Sequence, residues 1–142
     1  MTEREDVDAV AELLLRTYNV ITVVGASADP AKAANSVPAH MQAYGWRIIP
    51  VNPTATQILG EPAFARLADV DEPLRLVDVF RPSAATPDVA RQAVAAGAKA
   101  LWLQLGIASA EAREIATAAG LIYIENRCLI IERSRLGLRA PR

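Results

Sequence analysis

Small residues, hydrogen-bond donors and a cation stand close together between Gly25 and Ser36. Gly25 and Ala26 leave room for a ligand near the backbone, and the segment also holds Ser27, Lys32, Asn35 and Ser36. Such residues at the start of a helix suit a phosphate or pyrophosphate group. An ordinary strand-to-helix connection, with Asn35 or Ser36 as the helix cap, explains the same residues. From this segment alone both interpretations stay open.

The segment lacks the glycine fingerprint of dinucleotide-binding folds. G-x-G-x-x-G would need glycines where Ser27 and Pro30 stand. An NAD site also expects an acidic residue after the second strand, to hold the ribose hydroxyls. This chain has Val51, Asn52 and Pro53 there instead. The absent carboxylate disfavours NAD and leaves room for a ligand that bears a ribose phosphate, which a carboxylate would repel.

Two further segments supply candidate ligand contacts. In the first, Phe80 could cover an apolar ligand arm or belong to the core, and Arg81 could meet a phosphate. In the second, Gln104 stands before Gly106 and could either read an amide group or cap a loop. Asp78 lies within an apolar run, where a carboxylate is costly unless it is hydrogen-bonded. It could cap a neighbouring loop or face a cleft, and a structural role is favoured.

The candidates for nucleophilic or metal chemistry are few. Cys128 follows Asn126 and Arg127. The sole histidine, His40, falls on the predicted second helix, and the end of that helix that faces the cleft is its start. A Cys–His catalytic pair is therefore not expected, and Cys128 is typical of a small buried apolar side chain. One histidine and one cysteine also make a metal site improbable. The residues by themselves predict a nucleotide-type binder without a catalytic group.

Apolar runs and helical periodicity predict the elements that position these residues. Five strands are expected over 20–24, 46–51, 74–80, 99–105 and 121–124. The first helix is expected from Asp6 or Asp8 to about Tyr18, and the second over 37–44 with Pro38 in its first turn. Three more are expected from 82 or 86 to 96, from the Ser109 cap to 119, and over 128–136. The segment 54–71 is expected to be irregular. This alternation predicts an α/β fold, a doubly wound parallel five-stranded sheet with Rossmann-like order 3-2-1-4-5. Ligands bind at the carboxyl ends of such strands.

Composition bounds the class of protein. At 142 residues, 52% hydrophobic and 22% charged, the chain is expected to form one globular domain over 1–142. The net charge of -1 favours neither nucleic acid nor a membrane surface as a partner. A single cysteine excludes an internal disulfide and suits the reducing cytoplasm. The apolar runs have strand length, so no membrane-spanning segment is expected.

Seven motifs carry a resemblance to a known family. The chain resembles the CoA-binding protein family, small stand-alone relatives of the CoA-binding domain of the succinyl-CoA synthetase alpha subunit. The resembling motifs occur in the family's order over about residues 15–136: VVGAS (23–27), 32–37, GWRIIPVNP (45–53), ILGEPAF (58–64), VDVFRPS (77–83), GAKALWLQLGI (97–107) and NRCLIIE (126–132). Each motif is weak by itself, and the set at these spacings is specific.

The resemblance implies coenzyme A lying across the carboxyl ends of the strands. It places Gly25, Ala26, Ser27, Lys32 and Asn35 at the phosphates, and Val51, Asn52 and Pro53 beside the adenosine. It places Phe80, Arg81, Gln104 and Gly106 along the pantetheine, and has Asn126 and Cys128 close the site. The chain departs from many relatives at Ala33 and Ala34, where they have proline and serine, and at Asn126, where others have Asp.

The leading hypothesis is non-catalytic binding of coenzyme A or an acyl-CoA by a carrier, sensor or regulatory module in the cytoplasm. The histidine-bearing second domain and ATP-binding partner of the larger synthetases are not expected. One alternative is an NAD(P)-binding oxidoreductase-type domain. Another is a CoA-linked redox switch through Cys128, with Arg127 lowering the pKa of the thiol. A protein partner or homo-oligomer is left open.

Overall fold

Strands and helices alternate along residues 2–142, which the computed structural model describes; Met1, part of the expected domain, lies outside the described residues. The helices are α1 (Glu3–Thr17), α2 (Ala33–Ala43), α3 (Thr86–Ala95), α4 (Ala110–Ala118) and α5 (Leu129–Leu136). The strands are β1 (Val20–Val24), β2 (Arg47–Val51), β3 (Gln57–Ile58), β4 (Glu61–Pro62), β5 (Leu76–Val79), β6 (Ala100–Leu103) and β7 (Ile122–Ile124). All five predicted sheet strands and all five predicted helices are present.

The main sheet is parallel and five-stranded, with the order β2-β1-β5-β6-β7. Outside β2, Phe64 forms an isolated parallel bridge with Val51. If the Phe64 segment is counted as the third strand of the chain, β5 and β6 become the fourth and fifth strands. The order is then 3-2-1-4-5, the Rossmann order, with β7 as the last strand. One assignment changes: the strand predicted over 74–80 does not lie beyond β2 but pairs directly with β1. The edge position belongs to the Phe64 segment.

Helices cover both faces of the sheet. The core on one face is built from α1, α2 and α5, and the core on the other face from α3 and α4. Inner strand residues point alternately to these two cores, and β5 and β6 are buried along their whole length. This two-sided burial explains why the strands read as continuous apolar runs.

Two helices begin earlier than the sequence predicts. Thr2, not Asp6 or Asp8, caps α1: its side chain accepts from the Glu5 N–H, and the Glu5 carboxylate accepts from the Thr2 N–H. Helix α2 begins at Ala33 with Lys32 at the cap position, so neither Asn35 nor Ser36 is the cap. Pro38 consequently lies inside α2 and not in its first turn.

The segment predicted to be irregular, 54–71, contains the β3–β4 hairpin and a 3₁₀ turn over Leu67–Asp69. The backbone N–H of Phe64 donates to the Pro50 carbonyl, and that of Asn52 donates to the Phe64 carbonyl. These bonds occupy the outer edge of β2, which leaves that edge covered. Within residues 2–142, no helix has both the length and the apolar character needed to cross a membrane.

Candidate functional site

The loops after β2, β1, β5, β6 and β7 lie in that order along the carboxyl edge of the sheet. The chain leaves β1 toward β2 on one side and returns to β5 on the other, so the switch point lies between β1 and β5. A ligand crevice is expected at that point in a doubly wound sheet. The 15 residues predicted to form the site all belong to these five loops, the ends of their strands or the first turn of α2.

Gly25 lies where the β1 and β5 loops approach most closely. Its φ is +83°, and a Cβ atom at this position would stand 2.4 Å from the Phe80 carbonyl oxygen. Its N–H donates to the Val51 carbonyl, while the Phe80 N–H donates to the Val24 carbonyl. Only glycine combines this conformation with this contact. The residue therefore joins the ends of three neighbouring strands.

Two asparagine side chains hold the loop that follows Gly25. The amide group of Asn35, which is 8% exposed, donates to the Ser27 carbonyl at 2.8 Å. The amide group of Asn52 donates to the carbonyl of the buried Ala26, also at 2.8 Å. The side-chain oxygen of Asn52 accepts from the backbone N–H groups of Thr54 and Ala55. Both side chains thus fix the geometry of this loop.

The internal proline of α2 connects this helix to the same loop. Pro38 has no N–H, which frees the carbonyl oxygen of Ala34 four residues earlier. The Ser27 N–H donates to that oxygen at 3.2 Å, and the Ser27 hydroxyl oxygen accepts from the Asp29 N–H. Because no side chain caps α2 at Lys32, its first N–H groups stay open toward the loop. Ser36 lies exposed in this first turn.

A cavity of about 320 Å³ opens beside Gly25 on the α3 face of the sheet. Four of the predicted site residues line it: Gly25, Val51, Pro53 and Arg81. The sequence analysis missed the remaining lining residues: Val24, Ala65, Arg66, Leu67, Ala85, Asp88, Val89 and Gln92. Asp88, Val89 and Gln92 could have been found from the sequence, because the predicted helix that holds them begins at the carboxyl end of β5. The volume of the cavity falls in the usual range for small-ligand sites.

Two cations at this edge are available to an anion. In the described part of the chain, neither Lys32 nor Arg81 takes part in an ion pair, and both are exposed. Arg66, the third cation nearby, forms an ion pair with Asp69 at 2.9 Å. Lys32 and Arg81 are thus the cations at this edge that could meet an anion, in a chain whose net charge is -1.

The ends of β6 and β7 are tied to each other and to α5. The Gly106 N–H donates to the side-chain oxygen of Asn126 at 2.8 Å, and Asn126 has a φ of +57°. The side-chain oxygen of Gln104, a residue 4% exposed, accepts from the Leu129 N–H in the first turn of α5. Phe80 is half-buried against the core on the α1, α2 and α5 face. These contacts order the part of the crevice farther from the cavity.

Cys128 is half-buried at the cap position of α5, with a free thiol. The neighbouring Arg127 was predicted to lower the pKa of this thiol. Its guanidinium instead lies 2.7 Å from the Asp8 carboxylate and 3.3 Å from that of Glu132. The hydrogen bond from Arg127 lowers the pKa of Asp8. This pairing leaves the redox hypothesis without its expected cation, and the hypothesis stays a prediction.

His40 is engaged by a different arginine. Its Nε2 accepts from Arg133 Nε at 2.9 Å, and the Arg133 guanidinium stacks over the Tyr44 ring at 3.7 Å. Burial, together with the nearby charge of Arg133, lowers the pKa of His40. Within residues 2–142, no three His, Cys, Asp or Glu side chains are grouped so that they could hold a metal ion.

Asp78 is fully buried in β5, between Val23 of β1 and Trp102 of β6. Neither of its carboxyl oxygens has a hydrogen-bond partner within residues 2–142. Burial raises the pKa of Asp78 well above its ordinary value, which favours the neutral acid. Asp78 therefore neither caps a loop nor faces the cleft: its side chain lies in the core beneath the site, in line with the structural role that the sequence favoured.

One family model matches most of this chain, and small proteins of similar length resemble it in sequence and structure. The family described as CoA binding domain matches residues 19–134. The uncharacterized protein YneT of Bacillus subtilis is 36% identical over 120 residues, which span 84% of this chain and 88% of that protein. A solved structure of a hypothetical protein from Pyrococcus horikoshii superposes with a TM-score of 0.87 at 34% identity and covers 92% of both chains.

A larger enzyme shows similarity over part of its length. The dinucleotide-forming acetyl-coenzyme A synthetase 1 of Ca. Korarchaeum cryptofilum superposes with a TM-score of 0.68 at 25% identity. The match covers 81% of this chain and 27% of the synthetase. The similarity is thus to one region of that enzyme. Given the family match over residues 19–134 and the closely similar small proteins, this chain belongs to the CoA binding domain family.

Proposed function

We propose that this protein binds coenzyme A or an acyl-CoA at the carboxyl edge of its sheet and acts as a carrier, sensor or regulatory module. The observation that carries the proposal is the cavity beside Gly25. It is lined by the exposed Arg81, which has no ion-pair partner within residues 2–142, in a chain of the CoA binding domain family. Coenzyme A offers this edge an aromatic base, several phosphates and a long amide-bearing arm.

The adenosine end fits the cavity of about 320 Å³. Val24, Val51, Leu67 and Val89 supply apolar surface for a base. Asp88 accepts from the Gln92 amide at 2.8 Å, so this carboxylate is already engaged. Arg81 stands at the same cavity for a ribose phosphate or the pyrophosphate.

The phosphates fit the open start of α2. Free N–H groups and the helix dipole favour an anion there, and Lys32 adds a full charge at the cap position. From this point the pantetheine arm would pass Phe80 and Gly106 toward Cys128. Gln104 and Asn126 act as positioning residues in this proposal, because their side-chain oxygens hold the α5 start and the Gly106 loop.

A dinucleotide fits the same edge less well. NAD sites use a carboxylate after the second strand to accept from ribose hydroxyls. Asn52 occupies this place, and its side-chain oxygen already accepts from Thr54 and Ala55. Because that acceptor is committed to the loop, the ribose would find no equivalent partner at Asn52. The proposal therefore favours coenzyme A over NAD(P).

Calorimetric titration of the ligand-free protein with CoA, acetyl-CoA, NAD and NADP tests the proposal. We expect CoA and acetyl-CoA to bind with micromolar affinity and neither dinucleotide to bind. Binding of NAD or NADP without binding of CoA would reopen the oxidoreductase alternative. If none of the four binds, the proposed function is wrong and the fold serves another ligand or a protein.

Lys32→Ala is expected to weaken CoA binding by about 5- to 150-fold, because a charge-assisted bond to phosphate contributes roughly 1–3 kcal/mol. Lys99→Ala is the matched control: Lys99 is the other lysine of the chain and lies exposed at the opposite end of the sheet, just before β6. The same calorimetric titration measures both variants. Equal losses in the two variants, or none in Lys32→Ala, would mean that Lys32 makes no phosphate contact.

A further inference from the structure

The segment that follows α5 folds back onto the end of α2. Leu138 is buried in the core on the α1, α2 and α5 face, and its N–H donates to the Arg133 carbonyl at 3.1 Å. The Ala140 N–H donates to the Tyr44 carbonyl at 3.0 Å. Residues 137–142, called the return segment below, are therefore attached to the end of α2 by packing and by a backbone hydrogen bond.

One guanidinium group joins the return segment to α2. Arg133 is 8% exposed, and it donates to the Leu138 carbonyl and to Nε2 of His40, both at 2.9 Å. A third bond goes to the Ser134 hydroxyl at 3.1 Å, and the guanidinium stacks over the Tyr44 ring. Among the residues that the structure describes, Arg133 has no carboxylate as an ion-pair partner. A buried charge of this kind depends on its neutral hydrogen-bond acceptors, so the loss of one of them destabilises the attachment.

His40 can accept from Arg133 only while its imidazole ring is neutral. A neutral ring has one acceptor nitrogen, whereas a protonated ring has two donors and no acceptor. Protonation would therefore remove the bond and leave a second positive charge beside the buried guanidinium. The other groups packed here are the Tyr44 ring, 4.9 Å from the His40 ring, and Arg139 of the return segment, which lies over Tyr44 at 5.4 Å. None of them offers a negative charge to an imidazolium.

We infer that His40 and Arg133 form an acid-sensitive switch: when His40 is protonated, the return segment detaches from α2 and uncovers the apolar surface against which Leu138 packs. In the attached state, burial and the charge of Arg133 lower the pKa of His40. In the detached state the ring lies in water and titrates near its ordinary value of about 6.5. Because the detached state binds the proton more readily, detachment becomes up to about tenfold more favourable per pH unit below that value, until the attached state is protonated as well.

Nuclear magnetic resonance and amide hydrogen exchange of the full chain test this switch. His40 is the sole histidine, so one set of imidazole signals reports its titration, and its pKa is expected to lie below 6.5. Between pH 7.5 and pH 5.5, the protection of the Leu138 and Ala140 amides, corrected for intrinsic exchange, is expected to fall by about three- to tenfold. The Ala98 N–H, which donates to the Ala93 carbonyl after α3, is the reference, and its protection should not fall with the titration of His40.

His40→Gln separates this switch from other effects of acid. Glutamine offers a carbonyl oxygen to Arg133 and does not titrate, so the protection of the two amides should be equal at pH 7.5 and pH 5.5. Asp78 is present in both proteins, so its own titration cancels in the comparison.

Arg133→Gln gives a second, independent check. The pKa of His40 should rise toward 6.5 in this variant, and both amides of the return segment should lose protection already at pH 7.5, since the joining group is gone. A wild-type pKa of His40 at or above 6.5 would overturn the inference. Amide protection that does not respond to pH, or that responds equally in His40→Gln, would do the same.

Discussion

Gly25→Ala is expected to abolish detectable CoA binding and to lower the free energy of unfolding by about 2–5 kcal/mol. The new Cβ would stand 2.4 Å from the Phe80 carbonyl oxygen, and neither backbone segment can rotate away as a side chain would. A non-glycine residue at a φ of +83° adds about 1–2 kcal/mol. Relief of the contact forces the β1 and β5 loops apart at the switch point. Chemical denaturation and CoA titration measure the two effects.

Gly120→Ala separates the two contributions to the Gly25 effect. Gly120 has a nearly equal φ of +86°, but a Cβ atom there would meet nothing within 4 Å. The loss of stability in Gly120→Ala therefore gives the conformational cost alone, and its CoA affinity should match the wild type. If Gly25→Ala behaves like Gly120→Ala in both measurements, the two loops adapt to the added methyl group and the switch point is not rigid.

The sequence predicted the strands well because burial on both faces makes each one a continuous apolar run. It did not place the third of them correctly, since an apolar run carries no information about its neighbours. The Leu76–Val79 strand pairs with β1, while the Phe64 segment forms a bridge on the outer edge of β2. A single bridging residue leaves no apolar run from which the sequence could predict it.

The candidate site was predicted from a rule about topology, and the structure brings the predicted residues together at the edge that the rule selects. What the polar side chains do there could not be predicted. The resemblance placed Asn35 at the phosphates and Asn52 beside the adenosine, and in the structure both side chains hold the Gly25 loop by hydrogen bonds to carbonyl groups. An amide side chain suits both roles equally, and only the distances to its neighbours distinguish them.

The start of α2 shows a similar limit. Proline is common in the first turn of a helix, so Pro38 suggested a helix beginning near Val37. The helix instead begins at Ala33 and accommodates Pro38 internally, because the Ala34 carbonyl accepts from Ser27. A residue of the adjacent loop thus replaces the missing helical donor. Sequence periodicity cannot reveal a donor supplied by another segment.

The buried carboxyl group of Asp78 makes the free energy of unfolding of this protein depend on pH. Its carboxyl group is fully buried between Val23 and Trp102, and neither of its oxygens has a partner in the part of the chain that the structure describes. Removing an unpaired carboxylate from water is costly, so burial raises the pKa of Asp78 in the folded protein. In the unfolded chain the same group titrates near its ordinary value of about 3.9. A neutral Asp78 also adds no negative charge two residues before Phe80 and the proposed phosphate contacts.

Asp78→Asn is expected to become progressively more stable than the wild type as the pH rises above about 4. Between the unfolded-state and folded-state pKa values, the folded wild type keeps a proton that the unfolded chain has lost. Its free energy of unfolding therefore falls with rising pH, by up to about 1.4 kcal/mol per pH unit from this group. Asparagine, similar in shape and always neutral, removes that contribution.

Denaturation curves from pH 4 to pH 9 measure the difference in the free energy of unfolding between the wild type and Asp78→Asn, with the exposed Asp71→Asn as control. Below pH 4 the difference in stability between the wild type and Asp78→Asn should no longer change with pH, since both then bury a neutral polar group. A difference that stays constant across the range would mean that Asp78 is ionised and partnered in solution, and the site above it would then carry an additional negative charge.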